Sequence, residues 1–286
     1  MIVHPECLPC FMRQALNVAK LVAPEDQGLQ RQLVRAFARR LGEADLDRPP
    51  PDLAGDLYPL ALEITGCADP YLEIKLRSNE RVLELLPGLE KAVARASDPL
   101  RAALALAVAG NLIDYGTGQS YDWERALTEA VNEDFAKSFA IDDYSRFAGE
   151  TKNIRILILG DNAGEIVLDT LLVRQLQVRG CQVTYAVRGK PILNDSLMED
   201  AVAVGMTSLC RVVDSGTDAP GAVLRRCAPA FVQEMKEADV VLSKGQGNYE
   251  ALENNRLGVY YAFKAKCAVV AKQLGVEEEA GIFLYR

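Results

Sequence analysis

A single histidine, His4, is all the imidazole this 286-residue chain contains. Zinc centres built on several imidazoles are thereby excluded, and a Ser-His-Asp triad would have to use His4, which stands beside Pro5 near the terminus. Long apolar runs are also missing. The most apolar stretch, residues 104–113, is too short to span a bilayer. The opening residues Met1-Ile2-Val3-His4-Pro5-Glu6 lack the basic start and apolar centre of a signal peptide. The expected location is the cytoplasm, with no membrane partner. There is no basic stripe either. Lysines and arginines are scattered through a chain of formal net charge −8, which argues against a nucleic-acid partner. The seven cysteines are odd in number and dispersed, so no disulfide framework is expected. Polar catalysis is left to carboxylates, amides, lysines, cysteines or a hard metal ion.

With 49% hydrophobic and 25% charged residues, the chain can build a full core. Residues 1–150 read as helices. Apolar residues recur at helical spacing over 7–22 and 30–44, with Pro24-Glu25-Asp26 between them as a helix start. Prolines 49, 50 and 51 mark residues 45–52 as a loop. Asp69-Pro70 opens a helical pattern through Leu85, and Pro99 opens another over 100–113, stopped by Gly116-Thr117-Gly118. Residues 122–139 read as a further amphipathic helix, and no strand is expected before residue 150. The character then changes. Short apolar strands are expected over 154–159, 182–187, 210–213, 239–243 and 259–263, with a final edge strand over 281–285. Helices are expected over 163–179, from about Ser196, over 221–238 and over 267–274. Strands alternating with helices imply a parallel sheet with right-handed crossovers. The fold class is α/β: a helical N-terminal region (1–150) and a Rossmann-like, mostly parallel sheet flanked by helices that would bind metal and phosphate (151–286).

Ligands of open α/β sheets sit beyond the carboxyl ends of the strands, so the segments that follow each strand carry the functional reading. They are Gly160-Asp161-Asn162-Ala163-Gly164-Glu165, Arg188-Gly189-Lys190-Pro191-Ile192-Leu193-Asn194-Asp195, Asp214-Ser215-Gly216-Thr217 and Lys244-Gly245-Gln246-Gly247-Asn248-Tyr249. Each sets glycine beside carboxylate, amide, hydroxyl or lysine. Asp161 and Asn162 offer hard oxygen ligands at a strand-to-helix junction, and Asp195 can complete the set. Such a site suits Mg²⁺ or Mn²⁺, with Co²⁺ or Ni²⁺ as further candidates. Capping of the following helix is the competing account of Asp161 and Asn162. Amides of Ala163, Gly164 and Glu165 would face a bound anion. The spacing Gly160-x-x-x-Gly164 is not a dinucleotide fingerprint, and an Asp where pyrophosphate would approach accepts phosphate only with a metal. Lys244, followed by Gly245 and Gly247, reads as a phosphate-holding lysine on a flexible loop, against an exposed lysine in a turn. Ser215, Gly216, Gly245 and Asn248 join Gly164 and Glu165 as substrate-binding candidates. So do Asn111 and Asp114, three apart at the end of an apolar helix, where capping is the rival account. Cys7-x-x-Cys10 has no second pair and follows no strand, so two cysteines on a buried helical face is the preferred reading.

Cys7-Leu8-Pro9-Cys10, Asp69-Pro70-Tyr71 with Lys75 and Asn79, Ala109-Gly110-Asn111-Leu112-Ile113-Asp114, Asp161-Asn162-Ala163-Gly164-Glu165, Pro191-Ile192-Leu193-Asn194-Asp195, Lys244-Gly245-Gln246-Gly247-Asn248-Tyr249 and Lys264-Ala265-Lys266-Cys267 run in order over nearly the whole chain. Together they resemble the metal-dependent damage-control phosphatases, also known as domain of unknown function 89, in the microbial branch with a cysteine pair. The resemblance implies a helical region on a Rossmann-like core, with a divalent metal at Asp161, Asn162 and Asp195 and phosphate contact at Lys244. It implies hydrolysis of phosphate esters in small metabolites, damaged or surplus sugar phosphates or cofactor intermediates. Glu250 stands where the sugar-phosphate-cleaving eukaryotic branch tends to carry arginine, which argues against a sugar phosphate. Water activated by the metal or Asp161 itself can be the attacking group. The rival readings are an adenosyl-dependent methyltransferase, which lacks an acidic residue at the end of the second strand, and a non-catalytic metal- or metabolite-binding protein.

Overall fold

The computed structural model describes residues 1–110 and 139–286. Its described sheet has seven strands: β1 (Ile141–Asp142), β2 (Arg155–Leu159), β3 (Gln182–Val187), β4 (Arg211–Asp214), β5 (Val240–Lys244), β6 (Val259–Lys264) and β7 (Gly281–Tyr285). They lie in the order β1-β7-β6-β5-β2-β3-β4. Strands β2 to β6 are mutually parallel, β7 runs antiparallel to β6, and β1 runs parallel to β7. The apolar runs follow from burial on both faces. Ile156 and Ile158 enter one core, and Leu157 and Leu159 enter the other.

The first face is covered by α5 (Pro99–Ala109), α7 (Glu165–Val178) and part of α4 (Leu72–Arg95). Helix α5 starts at Pro99 under an Asp98 cap and is buried from Ala102 through Ala109. The second face is covered by α10 (Pro229–Glu237), α11 (Gln246–Leu252) and α12 (Ala268–Leu274). Short helices α6 (Tyr144–Glu150), α8 (Met198–Ala203) and α9 (Met206–Leu209) complete the connections. Three N-terminal helices, α1 (Cys7–Val22), α2 (Gln27–Gly42) and α3 (Pro50–Thr65), form a third core around Phe11, Leu33, Phe37, Leu53 and Leu57. Ile192, from the loop after β3, is buried in that core, so the bundle rests on the loop that leads to Asp195.

Several expectations are corrected. Prolines 50 and 51 do not prolong a loop; they occupy the first turn of α3, where a missing N–H costs nothing. Helix α4 continues past Leu85 to Arg95, with Pro87 inside it. Residues 221–238 are not one helix. A 3₁₀ turn at Leu224–Arg226 precedes α10, because Arg225 and Arg226 turn back to the buried Asp52 of α3, at 2.7 Å from Arg225 Nε to Oδ2 and 2.7 Å from Arg226 Nε to Oδ1. A strand does precede residue 150: two-residue β1 takes the sheet edge, which leaves β7 inside. The helix expected over 122–139 falls almost wholly outside the described residues. No described helix is long and apolar enough to cross a membrane.

Candidate active site

The strand order turns back at β2, which has β3 on one side and β5 on the other; ligand crevices open at such switch points. Asp161 and Asn162 follow β2, Asp195 lies in the loop after β3, and Lys244 ends β5. Main-chain contacts zip the first two loops together. Asn162 pairs with Asp195 in an isolated antiparallel bridge. The Ser196 N–H donates to Asp161 O at 2.8 Å and the Ala163 N–H to Asn194 O at 2.9 Å. One guanidinium then spans the two carboxylates: Arg188 Nη2 is 3.2 Å from Asp161 Oδ1, and its Nε is 2.6 Å from Asp195 Oδ2. Asp161, Asn162 and Asp195 thus converge as their residue types suggested.

The donor chemistry fits a hard divalent cation. Asn162 Nδ2 donates to Asp161 Oδ2 at 3.1 Å and to Glu165 Oε1 at 2.7 Å. That commits both amide hydrogens and leaves its oxygen, together with the second Asp195 oxygen, accepting no hydrogen bond among the described residues. Burial pushes the Asp195 carboxyl up to about 7, with Arg188 pulling it back and Asp161 pushing further. Burial likewise raises Glu165 to about 7 against the pull of Lys244, and Asp161 adds to the rise. Crowded, dry carboxylates of one sign are relieved by a cation. Among the described residues no three His, Cys, Asp or Glu side chains are spaced to hold a metal ion, so this set depends on the Asn162 amide oxygen as its third donor. The loop after β5 passes hard against Asp161. Gly245 has φ +80°, and a Cβ there would lie 2.0 Å from Asp161 Oδ2, so only glycine fits.

Lys244 is not a loop residue. It is the last residue of β5 and is 0% exposed. Strand alternation turns it towards α7, where its ammonium lies 2.8 Å from Asp169 Oδ1 and 3.5 Å from Glu165 Oε2. Burial alone would lower its pKa, but Asp169 and Glu165 outweigh it and hold the charge on. The Tyr185 hydroxyl donates to the other Asp169 oxygen at 2.7 Å. The cation nearer the rim is Lys266. It is half-buried just after β6, and its charge acts on both Glu165 and Asp195.

With this geometry, comparison with known proteins is decisive. The model of the damage-control phosphatase ARMT1-like domain matches residues 3–282. The chain belongs to the damage-control phosphatase family. A damage-control phosphatase of Archaeoglobus fulgidus is 31% identical over 279 residues, covering 96% of each chain. One of Pyrococcus horikoshii is 31% identical over 284 residues, covering 98% of this chain and 96% of its own. The crystal structure of a DUF89 family protein from P. horikoshii is similar with a TM-score of 0.88 at 28% identity, covering 99% of both chains. The family suggested by the ordered segments is the family found.

In this damage-control phosphatase chain the other site candidates divide sharply. Glu165 opens α7 beside Asn162 and is 1% exposed. The amides of Ala163 and Gly164 are not open to an anion: the first donates to Asn194 O, and the second to Asn79 Oδ1 at 2.7 Å. Ser215 Oγ donates to Val187 O at 2.6 Å, and the Gly216 N–H to Asp214 Oδ1 at 2.6 Å; both brace the turn after β4. Asn248 is wholly buried. It donates to Gly160 O and Lys244 O at 3.1 and 2.7 Å and accepts from Arg188 Nη1 and the Ala222 N–H at 3.2 and 2.7 Å. It steadies Arg188. Asn111 and Asp114 lie outside the described residues. The cysteine pair does not lie on a buried helical face: Cys10 is exposed and Cys7 half-buried, because the inward stripe of α1 is Phe11, Ala15, Val18 and Ala19. Burial still pushes the Cys7 thiol up to about 11. Arg188, Asp169 and Lys266 went unassigned in the sequence. For Asp169 there was a signal: two acids four apart, Glu165 and Asp169, in the mostly apolar first half of a helix.

Proposed function

We propose that this chain is a divalent-metal-dependent phosphatase that hydrolyses phosphate monoesters of small, damaged or surplus cytoplasmic metabolites, sugar phosphates or cofactor intermediates. The reading rests above all on the bridge between Asn162 and Asp195, which joins the two ligand loops. Asp161, Asn162 and Asp195 would hold Mg²⁺ or Mn²⁺. When bound, such an ion polarises the phosphoryl group and makes a coordinated water acidic. The protein's own residues do the rest. Arg188 offsets the two ligand carboxylates until a cation shares them. Asp169 holds Lys244, Lys244 steadies Glu165, and Glu165 fixes the Asn162 amide so that its oxygen faces the centre. In this reading Lys244 acts through Glu165, and Lys266 supplies the charge that meets the substrate phosphate. Both Asp161 oxygens accept hydrogen bonds, from Arg188 and Asn162, which favours water over Asp161 as the attacking group.

The test is phosphate release from a panel of phosphorylated metabolites with Mg²⁺, Mn²⁺, Co²⁺ or Ni²⁺. EDTA should abolish turnover and added metal restore it. Full activity in metal-stripped protein, or none on any ester with any of these ions, refutes the reading.

A further inference from the structure

One side chain of the N-terminal helices reaches one ligand loop directly and the other through a single carboxylate. Asn79, in the first third of α4, is 3% exposed. Its Oδ1 accepts from the Gly164 N–H at 2.7 Å, two residues beyond Asn162. Its Nδ2 donates to Asp200 Oδ1 at 2.8 Å. The other Asp200 oxygen accepts from the Leu197 N–H at 2.9 Å, two residues beyond Asp195. Lys75, one turn before Asn79, pairs with Asp69 at 2.7 Å and reaches Asp200 Oδ2 at 3.8 Å. A single amide therefore has its acceptor end on the loop of Asp161 and Asn162 and its donor end on Asp200 of α8, which in turn holds Leu197 at the end of the Asp195 loop. Gly164 has φ +81°, a conformation that glycine adopts freely, and the Asn79 side chain holds its N–H in place.

We infer that Asn79, working through Asp200, is a positioning residue that sets the spacing between the two ligand loops. The inference rests on the reading of Asp161, Asn162 and Asp195 as the metal ligands. It makes α4 part of the centre without touching substrate. Outer groups of this kind tune metal affinity about 10–100-fold.

Asn79→Asp keeps the acceptor for Gly164 but sets carboxylate against carboxylate at Asp200. Combining it with Asp200→Asn rebuilds the three hydrogen bonds with the polarity of the pair reversed and moves the charge that faces Lys75 from Asp200 to position 79: the new amide donates to the new carboxylate and still accepts from Leu197. Titration calorimetry of Mn²⁺ onto metal-free protein should show the single variant binding about tenfold or more weakly. The double exchange should return within about threefold of wild type. Hydrogen exchange on the metal-free proteins should show residues 160–168 and 193–200 loosening together in the single variant and tightening again in the double. An unchanged Mn²⁺ affinity in a folded single variant, or loosening of only one loop, overturns the inference. Should the single variant not fold, the double exchange decides: binding within threefold of wild type supports the strut, and tenfold weaker binding overturns it. Asp161→Asn separates the two ideas. If it leaves Mn²⁺ affinity intact, the ligand assignment fails whatever Asn79 does. If it abolishes binding while Asn79→Asp does nothing, only the strut fails. Should wild type bind no Mn²⁺, the ligand assignment fails and hydrogen exchange alone judges the strut.

Discussion

Replacing Lys244 by methionine separates a buried structural charge from a substrate contact. Methionine is nearly as long, so Lys244→Met leaves little void, but it strands Asp169 and Glu165 at 0% and 1% exposure. Breaking a buried ion pair from one side costs about 3–5 kcal/mol. For a chain of this size each kcal/mol moves Tm by roughly 2–4 °C, so a fall of about 6–20 °C is expected. The pH dependence has a definite sign. Burial already raises Glu165 to about 7, and Lys244 is the first of the groups restraining it, so removing the ammonium raises that carboxyl further. A carboxyl whose folded pKa exceeds its unfolded value costs stability at high pH, and that cost fades as the pH falls and the folded state takes up the proton. The deficit relative to wild type should therefore be largest near pH 8 and shrink towards pH 5. Scanning calorimetry of both metal-free proteins across that range measures it. A Tm within about 2 °C of wild type near pH 8, or a deficit independent of pH, would refute the buried-pair argument and return Lys244 to the phosphate-holding role that its Lys-Gly setting suggested.

Lys266→Ala should do the opposite. Tm should stay within about 2 °C of wild type while KM for a phosphate ester rises about tenfold, since the charge is a partly exposed one used in binding; an unchanged KM would remove it from the site. Gly245→Ala forces a Cβ to within 2.0 Å of Asp161 Oδ2 at φ +80°, so metal binding and turnover should both collapse, with about 1–3 kcal/mol of stability lost to backbone strain. Calorimetry and phosphate release would check it, and a fully active variant would show that the loop after β5 stands clear of Asp161. Changing Cys7 and Cys10 together to serine should leave turnover intact and cost no more than about 1 kcal/mol, because Cys10 is exposed and Cys7 only half-buried. Stoichiometric zinc that disappears in that double variant would overturn the prediction.

Much of the α/β half was legible because burial on both faces forces continuous apolar strands, and because Asp-Asn after β2 and Asn-Asp after β3 stand where a switch point gathers them. What escaped depended on partners distant in sequence. Arg188 read only as a basic residue at a strand end, and its role emerges only when Asp161, 27 residues away, folds against it. Lys244 followed by glycine looks like a turn, yet β5 includes it, and its partner Asp169 is 75 residues away. The prolines before α3 misled for a local reason: proline breaks a helix from the inside but begins one comfortably. The cysteine pair was misplaced by the phase of the α1 stripe, which a small rotation about the helix axis reverses.

Helix α5 carries a consequence for how the chain is made. Leu100 and all of Ala102 through Ala109 are buried; α4, just upstream, covers part of this helix, and the rest of its described cover comes from α7, β6 and β7, the last of which ends at Tyr285. On the ribosome, α1 to α3 can close their own core early, since nearly all of it lies within one stretch of chain. The face of α5 that meets α7 and the sheet must then wait, only partly covered by α4, until more than half of the polypeptide has emerged. A nascent chain in that condition invites chaperones or self-association, so slowed translation beyond residue 110 should be more hazardous to this protein than slowed translation before it.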